Sequence, residues 1–186
     1  MECEGTAKSG NTLDIDVVIR DFKDTHADFE AYLGSDPGIV KTALGVDGKP
    51  VYESANSNPT VTSAATFDQW YRDVPSVNSS TTKTLTLDNG MAGDGGIYSY
   101  TNSAFFPIDG ELFGNEDRGH NYHFTLEMHT DFTCVAGQTF SFTGDDDLWV
   151  FIDGSLTTSP VPAPSSLAIL GAGLLGLGLY RRKKLA

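Results

Sequence analysis

The sequence contains the stretch GDDDLWVFIDG at residues 144–154, in which three adjacent carboxylates lead into an unbroken apolar run. Five bulky residues, rich in aromatic and β-branched types, occupy positions 148–152 and predict a strand buried on both faces. The Asp153-Gly154 pair that follows is a turn signal. Three like charges repel one another unless water solvates them or a hard cation such as calcium takes their oxygens. The stretch therefore predicts either a solvated acidic turn or a cation site at the start of a buried strand.

Short alternating segments with glycine-rich connections make up most of the chain before residue 160, and no long amphipathic helical pattern occurs there. Alternation of apolar and polar residues with a period of two is typical of a strand. The predicted strands are Leu13 to Ile19 running on to Phe22, Thr82 to Leu87, Asn121 to Thr133 and Thr139 to Thr143. Many short strands predict an all-β protein, an antiparallel β-sandwich or barrel.

The longest alternating run, Asn121 to Thr133, should have one face in the core and one in solvent. Its apolar face comprises Tyr122, Phe124, Leu126 and Met128, and its polar face comprises His123, Thr125, Glu127 and His129. The histidines, with His120 nearby, resemble zinc ligands in type. Glu127 alone bridges His123 and His129, so the spacing argues against a compact zinc site.

Two short segments carry helix signals. Thr25 to Gly34 predicts a short helix or turn with Thr25 as its cap, and His26 within it is interpreted as structural. Thr66 opens a sequence typical of a capping box, which predicts a helix through Arg72. Trp70 and Tyr71 in this helix are expected to anchor it to the core, with a sugar-stacking platform as the alternative.

The composition indicates one sizeable core: the chain has 186 residues, of which 39% are hydrophobic. The formal net charge is -13, and four of the twelve Lys and Arg residues are Arg181 to Lys184. A nucleic-acid partner is disfavoured because the preceding segment lacks the basic face that phosphates need. Divalent cations or neutral ligands suit this charge better. The sequence leaves open whether Cys3 and Cys134 pair.

The composition changes abruptly after Ser159. An apolar run from Ser165 to Tyr180 would span about 24 Å as a helix, near the short limit for crossing a membrane. The basic cluster that follows should stay in the cytoplasm and place the β domain outside. Met1 to Asn11 shows no secretory signal peptide. We therefore expect either a true start upstream of Met1 or export information outside this sequence.

The tail from Val161 to Ala186 resembles the PEP-CTERM sorting signal of bacteria that make exosortase. The resemblance rests on the Pro162-Ala163-Pro164 motif, the Leu/Gly-rich span and the basic end that begins Arg181-Arg182. It implies export, recognition by a membrane-embedded exosortase, cleavage near the motif, and release to the cell surface or extracellular matrix of a bacterium. Ala163 stands where the family usually has Glu, a departure that bears on how efficiently the tail is cut.

Several motifs between Leu13 and Ser155 together resemble the fibro-slime domain. They are Arg20-Asp21-Phe22, residues 26–30, 67–74, 105–110 and 120–125, and Gly144 to Gly154. The resemblance implies a β-sandwich related to the anthrax protective antigen domain, commonly a carbohydrate-binding module. It also implies that Asp145 and Asp146 match an aspartate pair that holds calcium, which in turn grips sugar hydroxyls. The chain passes from Ser155 directly to the sorting tail, so we expect a shortened domain with an incomplete metal shell.

These observations predict four segments and a function. The segments are a polar N-terminal stretch (1–12), a fibro-slime β-sandwich (13–156), a Pro/Ser linker with the sorting motif (157–166), and a transmembrane helix with a basic tail (167–186). We expect an exported, non-enzymatic surface or matrix protein that binds carbohydrate or exopolysaccharide, assisted by calcium, and that contributes to adhesion or biofilm. The alternatives are a ligand-free structural matrix protein and a glycoside hydrolase that draws on Asp145 to Asp147 and Glu127.

Overall fold

The computed structural model describes residues 11–29, 36–54, 58–89, 98–131, 141–144 and 147–157. A three-stranded antiparallel sheet forms its centre, with strand order β2-β1-β3. Its strands are β1 (Thr12–Phe22), β2 (Asn78–Asp88) and β3 (Phe124–Met128). The second sheet is a hairpin of β4 (Phe151–Ile152) and β5 (Ser155–Leu156). A short helix α1 (Ala64–Asp68) continues into a 3-10 turn (Gln69–Tyr71). The predominance of antiparallel strands is consistent with the predicted all-β class.

The apolar alternation of β1 determines the first face of the sheet. Val17 and Ile19 are fully buried against Ile108, which lies in the loop that precedes β3. The partly buried side chains that complete this core are Leu85, Phe124, Leu126 and Met128. β1 lies between the other two strands: its backbone pairs with the whole length of β2 at one edge and with residues 124–128 of β3 at the other.

The second face of the sheet is covered by the α1 segment. The Thr125 hydroxyl donates a 2.6 Å hydrogen bond to the Trp70 carbonyl, which fixes the 3-10 turn against β3. The core beneath this segment consists of Ile39, Val40, Val61, Phe67 and Trp70. The packing interpretation of Trp70 is thereby confirmed: its ring is buried, and its indole N–H donates to Asp28 Oδ2 at 3.0 Å.

Other segments cover both faces of the sheet, so one prediction about β3 is wrong. The polar side of this strand was expected to face solvent, yet His123 and Glu127 are buried on it. The apolar pattern could not reveal this, because ion pairs and hydrogen bonds from other segments satisfy these polar groups. Within the described residues, β3 ends at Met128 rather than Thr133.

The helix prediction holds for the segment but not for its cap. Ser63, not Thr66, is the N-cap: its hydroxyl accepts a hydrogen bond from the Thr66 amide, and the Thr66 hydroxyl accepts one from the Ser63 amide. The box therefore begins three residues earlier than the sequence suggested. The predicted helix or turn after Thr25 is a turn over the part described, and His26 packs on Phe22 and Phe29 as expected of a structural residue.

The strand predicted at 148–152 is wrong in extent and burial. Only Phe151–Ile152 forms a strand, and Leu148 and Ile152 are exposed. The turn signal is confirmed: Asp153 and Gly154 have φ of 50° and 74°, the conformation of a two-residue hairpin turn. The run packs through Trp149 and Phe151, which contact the second core. A short hairpin beside a helix thus replaces the expected strand buried on both faces.

Other predictions fall partly or wholly outside the described residues. Residues 141–143 of the strand predicted at Thr139 to Thr143 are described and are not in a strand. The transmembrane helix predicted at 167–186 lies outside the described part, as do Cys3 and Cys134. Within the residues that are described, no helix is long and apolar enough to cross a membrane.

Candidate functional site

A charged cluster lies on the second face of the sheet, formed by Arg20, Lys49, Asp73, Glu127 and His129. Arg20 donates from Nη1 to Glu127 Oε2 at 2.7 Å and from Nε to Asp73 Oδ1 at 2.8 Å. Lys49 Nζ donates to Glu127 Oε1, and His129 Nε2 lies 2.6 Å from the same oxygen. Glu127 is therefore the hub of the cluster, with both oxygens engaged.

The strand register brings the two central residues together. Val18 pairs with Glu127 and Arg20 pairs with Thr125, so Arg20 and Glu127 are diagonal neighbours on one face of the sheet. Such neighbours lie within reach of long side chains. Lys49 arrives from a separate tight turn, in which the Gly45 amide donates to the Lys49 carbonyl at 2.8 Å.

The protonation of Glu127 follows from these contacts. Burial alone would raise its pKa, but the hydrogen bonds from Lys49, His129 and Arg20 outweigh burial and hold the pKa below its ordinary value. Glu127 is therefore an ionised carboxylate at neutral pH, and its lone pairs are occupied by cationic and imidazole donors. This environment is the opposite of the one that keeps a catalytic carboxylic acid protonated.

Tyr71 connects the charged cluster to the acidic turn. Its side chain is partly buried against the second core, and the desolvation raises the pKa of the phenol, with the charges of Glu127 and Asp147 adding to the rise and Arg20 opposing it. Asp147, the last carboxylate of the turn, is thus close enough to act electrostatically on the same hydroxyl as Glu127. The phenol stays neutral throughout the physiological range and keeps its proton available for donation.

Trp149, two residues after Asp147, packs against three aromatic rings and so fixes the position of the chain there. Its ring centroid lies 6.3 Å from those of Phe67 and Trp70 and 6.5 Å from that of Tyr71. A Cβ placed on Gly144 would be 3.4 Å from Leu148 Cβ, so the two ends of the turn lie close together. The chain that follows Asp147 is therefore held against an aromatic base.

The predicted calcium residues Asp145 and Asp146 lie outside the described residues. Over the ranges that the structure does describe, no group of three or more His, Cys, Asp or Glu side chains is arranged to hold a metal. The histidines considered for zinc are dispersed among different carboxylates: His120 with Asp109, His123 with Glu116, and His129 with Glu127.

Sequence reasoning named Glu127 and Tyr71 but missed Arg20 and Lys49. The available signal was Arg20 itself, a cation embedded among apolar residues of a predicted strand, which requires a buried partner. Lys49 carried no comparable signal, because its glycine-rich surroundings are typical of surface loops.

Comparison with known proteins identifies the tail. Residues 160–184 match the model of the PEP-CTERM protein-sorting motif. The match includes Pro162, Ala163, Pro164, Arg181 and Arg182, and it confirms the resemblance drawn from the sequence. It indicates an exported protein that exosortase sorts.

The chain is also similar to proteins of Dictyostelium discoideum. It is 37% identical to psiR over 167 residues, 41% identical to psiQ over 129 and 41% identical to psiD over 146. These alignments cover 81%, 62% and 69% of this chain but only 17%, 13% and 28% of the relatives. The chain therefore spans a minor part of each relative's length. No solved structure gives a significant match.

Proposed function

We propose that this chain is a non-enzymatic protein of the cell surface or extracellular matrix, whose acidic turn binds carbohydrate with the help of calcium. The sorting motif supports delivery outside the cell. The ligand site would comprise Asp145 and Asp146, with Asp147 at the end of the turn. The fibro-slime resemblance supplies the ligand class, a polysaccharide of the surface or matrix.

The observation that carries the ligand proposal is the position of Asp147. Its charge acts on the Tyr71 hydroxyl, and the adjacent Trp149 is fixed against three aromatic rings. The chain that leaves the three aspartates is therefore anchored on a packed aromatic base, which limits the entropy that a ligand site at this position would lose on binding. Consecutive carboxylates offer the hard oxygen ligands that calcium prefers.

The charged cluster supports a scaffold role for Glu127 rather than a catalytic one. A glycoside hydrolase needs a carboxylic acid with a raised pKa opposite a second carboxylate. The pKa of Glu127 is lowered instead, and both of its oxygens are bound. We therefore favour a binding protein, with exosortase as its processing partner and the tail as its temporary membrane anchor.

A ligand-free matrix protein is the second candidate, favoured by how completely the charged cluster neutralises itself. In that case the acidic turn would be solvated only, and its charges would serve solubility. The two candidates differ in one measurable property, the dependence of stability on calcium.

The test is thermal unfolding of the full chain in a zwitterionic detergent, with calcium and with chelator. A specifically bound ion stabilises the fold by about 2.7 kcal/mol at a hundredfold excess over its dissociation constant. We expect the midpoint to rise with calcium, Asp146→Asn to abolish the rise, and the matched Asp117→Asn to preserve it. Asp117 is an exposed aspartate in the loop before β3.

A glycan array with calcium then identifies the sugar, and chromogenic glycosides test for turnover. A cooperative transition that ignores calcium would contradict the calcium site and favour the matrix protein. Hydrolysis that Asp146→Asn abolishes would replace the binding proposal with the hydrolase.

A further inference from the structure

A second group of aromatic rings lies in the loop before β3, apart from the aromatic core beneath α1. It consists of Phe106, His120 and Tyr122, called here the Phe106 cluster. Phe106 and His120 stack face to face, with centroids 3.9 Å apart and planes at 7°. Tyr122 stands edge-on to both, at 5.3 Å from Phe106 and 6.1 Å from His120. The edge-on contacts fix the orientation of the Tyr122 ring.

The cluster is exposed, which sets it apart from the aromatic core beneath α1. Tyr122 is 51% exposed, the most exposed Phe, Tyr or Trp of the described residues. Nearly half of the His120 side chain and about a third of that of Asp109 are also accessible to solvent. A rigid aromatic ring that is half in water leaves an apolar surface uncovered.

Polar atoms surround this apolar surface. Asp109 orients the imidazole, with Oδ2 2.5 Å from His120 Nδ1, while its Oδ1 accepts from the Asn121 amide at 2.7 Å. Each oxygen retains a second lone pair. In the part of the chain that the structure describes, His120 Nε2 and the Tyr122 hydroxyl have no hydrogen-bond partner. The hydrogen bond from His120 keeps the pKa of Asp109 below its ordinary value, so the carboxylate is ionised.

These groups match the chemistry of a sugar ring. A pyranose has an apolar face of C–H groups and a rim of hydroxyls that both donate and accept. A fixed aromatic ring covers the apolar face, and an imidazole nitrogen and a carboxylate oxygen bind the rim. Anionic ligands suit the site poorly, because Asp109 carries a negative charge and the chain has a net charge of -13.

We propose that the Phe106 cluster is a pyranose subsite, in which Tyr122 stacks on a neutral sugar while His120 and Asp109 bind its hydroxyls. This subsite rests on the proposed function for its ligand class, but it uses different residues and needs no metal. Tyr122 precedes Phe124 by two residues, so it continues the first-face side of β3, whereas Glu127 lies on the second face. A polysaccharide could thus engage the domain at two separate places.

The test is an NMR titration of the full chain, in a zwitterionic detergent with chelator, using methyl glycosides of glucose, galactose, mannose and N-acetylglucosamine. His120→Gln assigns the ring resonances of His120. We expect at least one glycoside to shift them, Tyr122→Ala to weaken binding about tenfold, a loss of about 1.4 kcal/mol, and Tyr122→Phe to stay within about twofold. Tyr100→Ala is the matched control, because Tyr100 is an exposed aromatic outside the cluster and should leave binding unchanged.

The proposal is overturned if none of the four glycosides shifts the His120 resonances, or if Tyr122→Ala binds as tightly as the parent. Circular dichroism confirms that the variants are folded, and Asp109→Asn gives a second variant that keeps the ring. Shifts that appear only when the titration is repeated with calcium in place of chelator, and that disappear in Asp146→Asn, would assign sugar binding to the acidic turn alone. A change in self-association caused by Tyr122→Ala, without a change in sugar binding, would make the surface a contact between copies. If calcium has no effect on stability but the chelated titration succeeds, the subsite stands without the calcium site.

Discussion

Arg20 and Glu127 form a buried ion pair across β1 and β3, with Nη1 2.7 Å from Oε2 and only 7% and 8% of their side chains exposed. The pair lies at the end of the sheet where the α1 segment covers the second face. Lys49 adds a second cation on the other oxygen of Glu127, so one buried carboxylate serves two segments that are distant in sequence. The ion pair therefore ties the loop around Lys49 to the central sheet.

Removing the charge of Glu127 should be strongly destabilising. Glu127→Gln leaves Arg20 buried without a counter-charge on this side, and breaking a buried pair in this way costs about 3 to 5 kcal/mol. Urea unfolding of the full chain measures the loss. Asp73→Asn is the matched control, because it removes the other partner of Arg20 at a site whose side chain is 66% exposed. The control should cost no more than about 1 kcal/mol. Equal losses in the two variants would contradict the central role of Glu127.

Low pH should reduce the unfolding free energy by protonating Glu127. The pKa of Glu127 in the folded state is lowered from its ordinary value of 4.5, so its contribution is present above 4.5 and is lost as the pH falls through the folded pKa. Asp21 acts in the opposite sense: burial raises its pKa above 3.8, and its contribution is lost as the pH rises through that raised pKa.

The unfolding free energy measured between about pH 7 and pH 3 tests the contribution of Glu127. We expect the parent to lose stability below pH 4.5. In Glu127→Gln the unfolding free energy should decline less steeply over this range, since residue 127 no longer has a carboxylate to protonate. Parallel curves for the two proteins would rule out Glu127 as the residue responsible.

The sequence predicted the elements whose signals are local. The alternation from Leu13 to Phe22 and the turn at Asp153-Gly154 depend on neighbouring residues, and the structure confirms both. The partners of Glu127 were not predictable, because Arg20 is 107 positions away and Lys49 is 78. The Arg20 contact follows from strand register, which the alternation of a single strand does not specify, and the Lys49 contact follows from the packing of a separate loop.

The strand predicted from the apolar run at 148–152 was wrong for a different reason. Aromatic and β-branched residues satisfy the composition of a buried strand, but burial requires a partner on both sides. Here the α1 segment occupies the second face of the sheet, and the run instead packs Trp149 on Phe67 and Trp70. Tertiary packing therefore overrode a strong local preference. The same packing places the charge of Asp147 near enough to Tyr71 to raise the pKa of its phenol, an effect that no sequence signal indicated.

The cap of α1 should contribute measurably to stability. Ser63 accepts from the Thr66 amide at 3.1 Å, and Ser63→Ala removes this acceptor. Loss of a serine N-cap costs about 1 kcal/mol. Ser80→Ala is the control: Ser80 is an exposed serine of β2, and its replacement should change the unfolding free energy by less than about 0.5 kcal/mol. Thermal or urea unfolding compares the two variants, and an unchanged midpoint for Ser63→Ala would contradict the capping role.

Substitution of the glycine in the turn after β4 separates the effect of backbone strain from that of steric crowding by a Cβ. Gly154 has φ of +74°, and a Cβ added there would meet nothing within 4 Å. Gly154→Ala should therefore destabilise the fold through its left-handed backbone alone, by about 1 to 2 kcal/mol. Gly119 has equally open space without a positive φ. Gly119→Ala should be neutral or stabilise by up to about 1 kcal/mol, because alanine restricts the unfolded chain. Urea unfolding of both variants gives the two free energies. If both alanines cost the same, the strain at the β4–β5 turn is not what makes glycine necessary at 154.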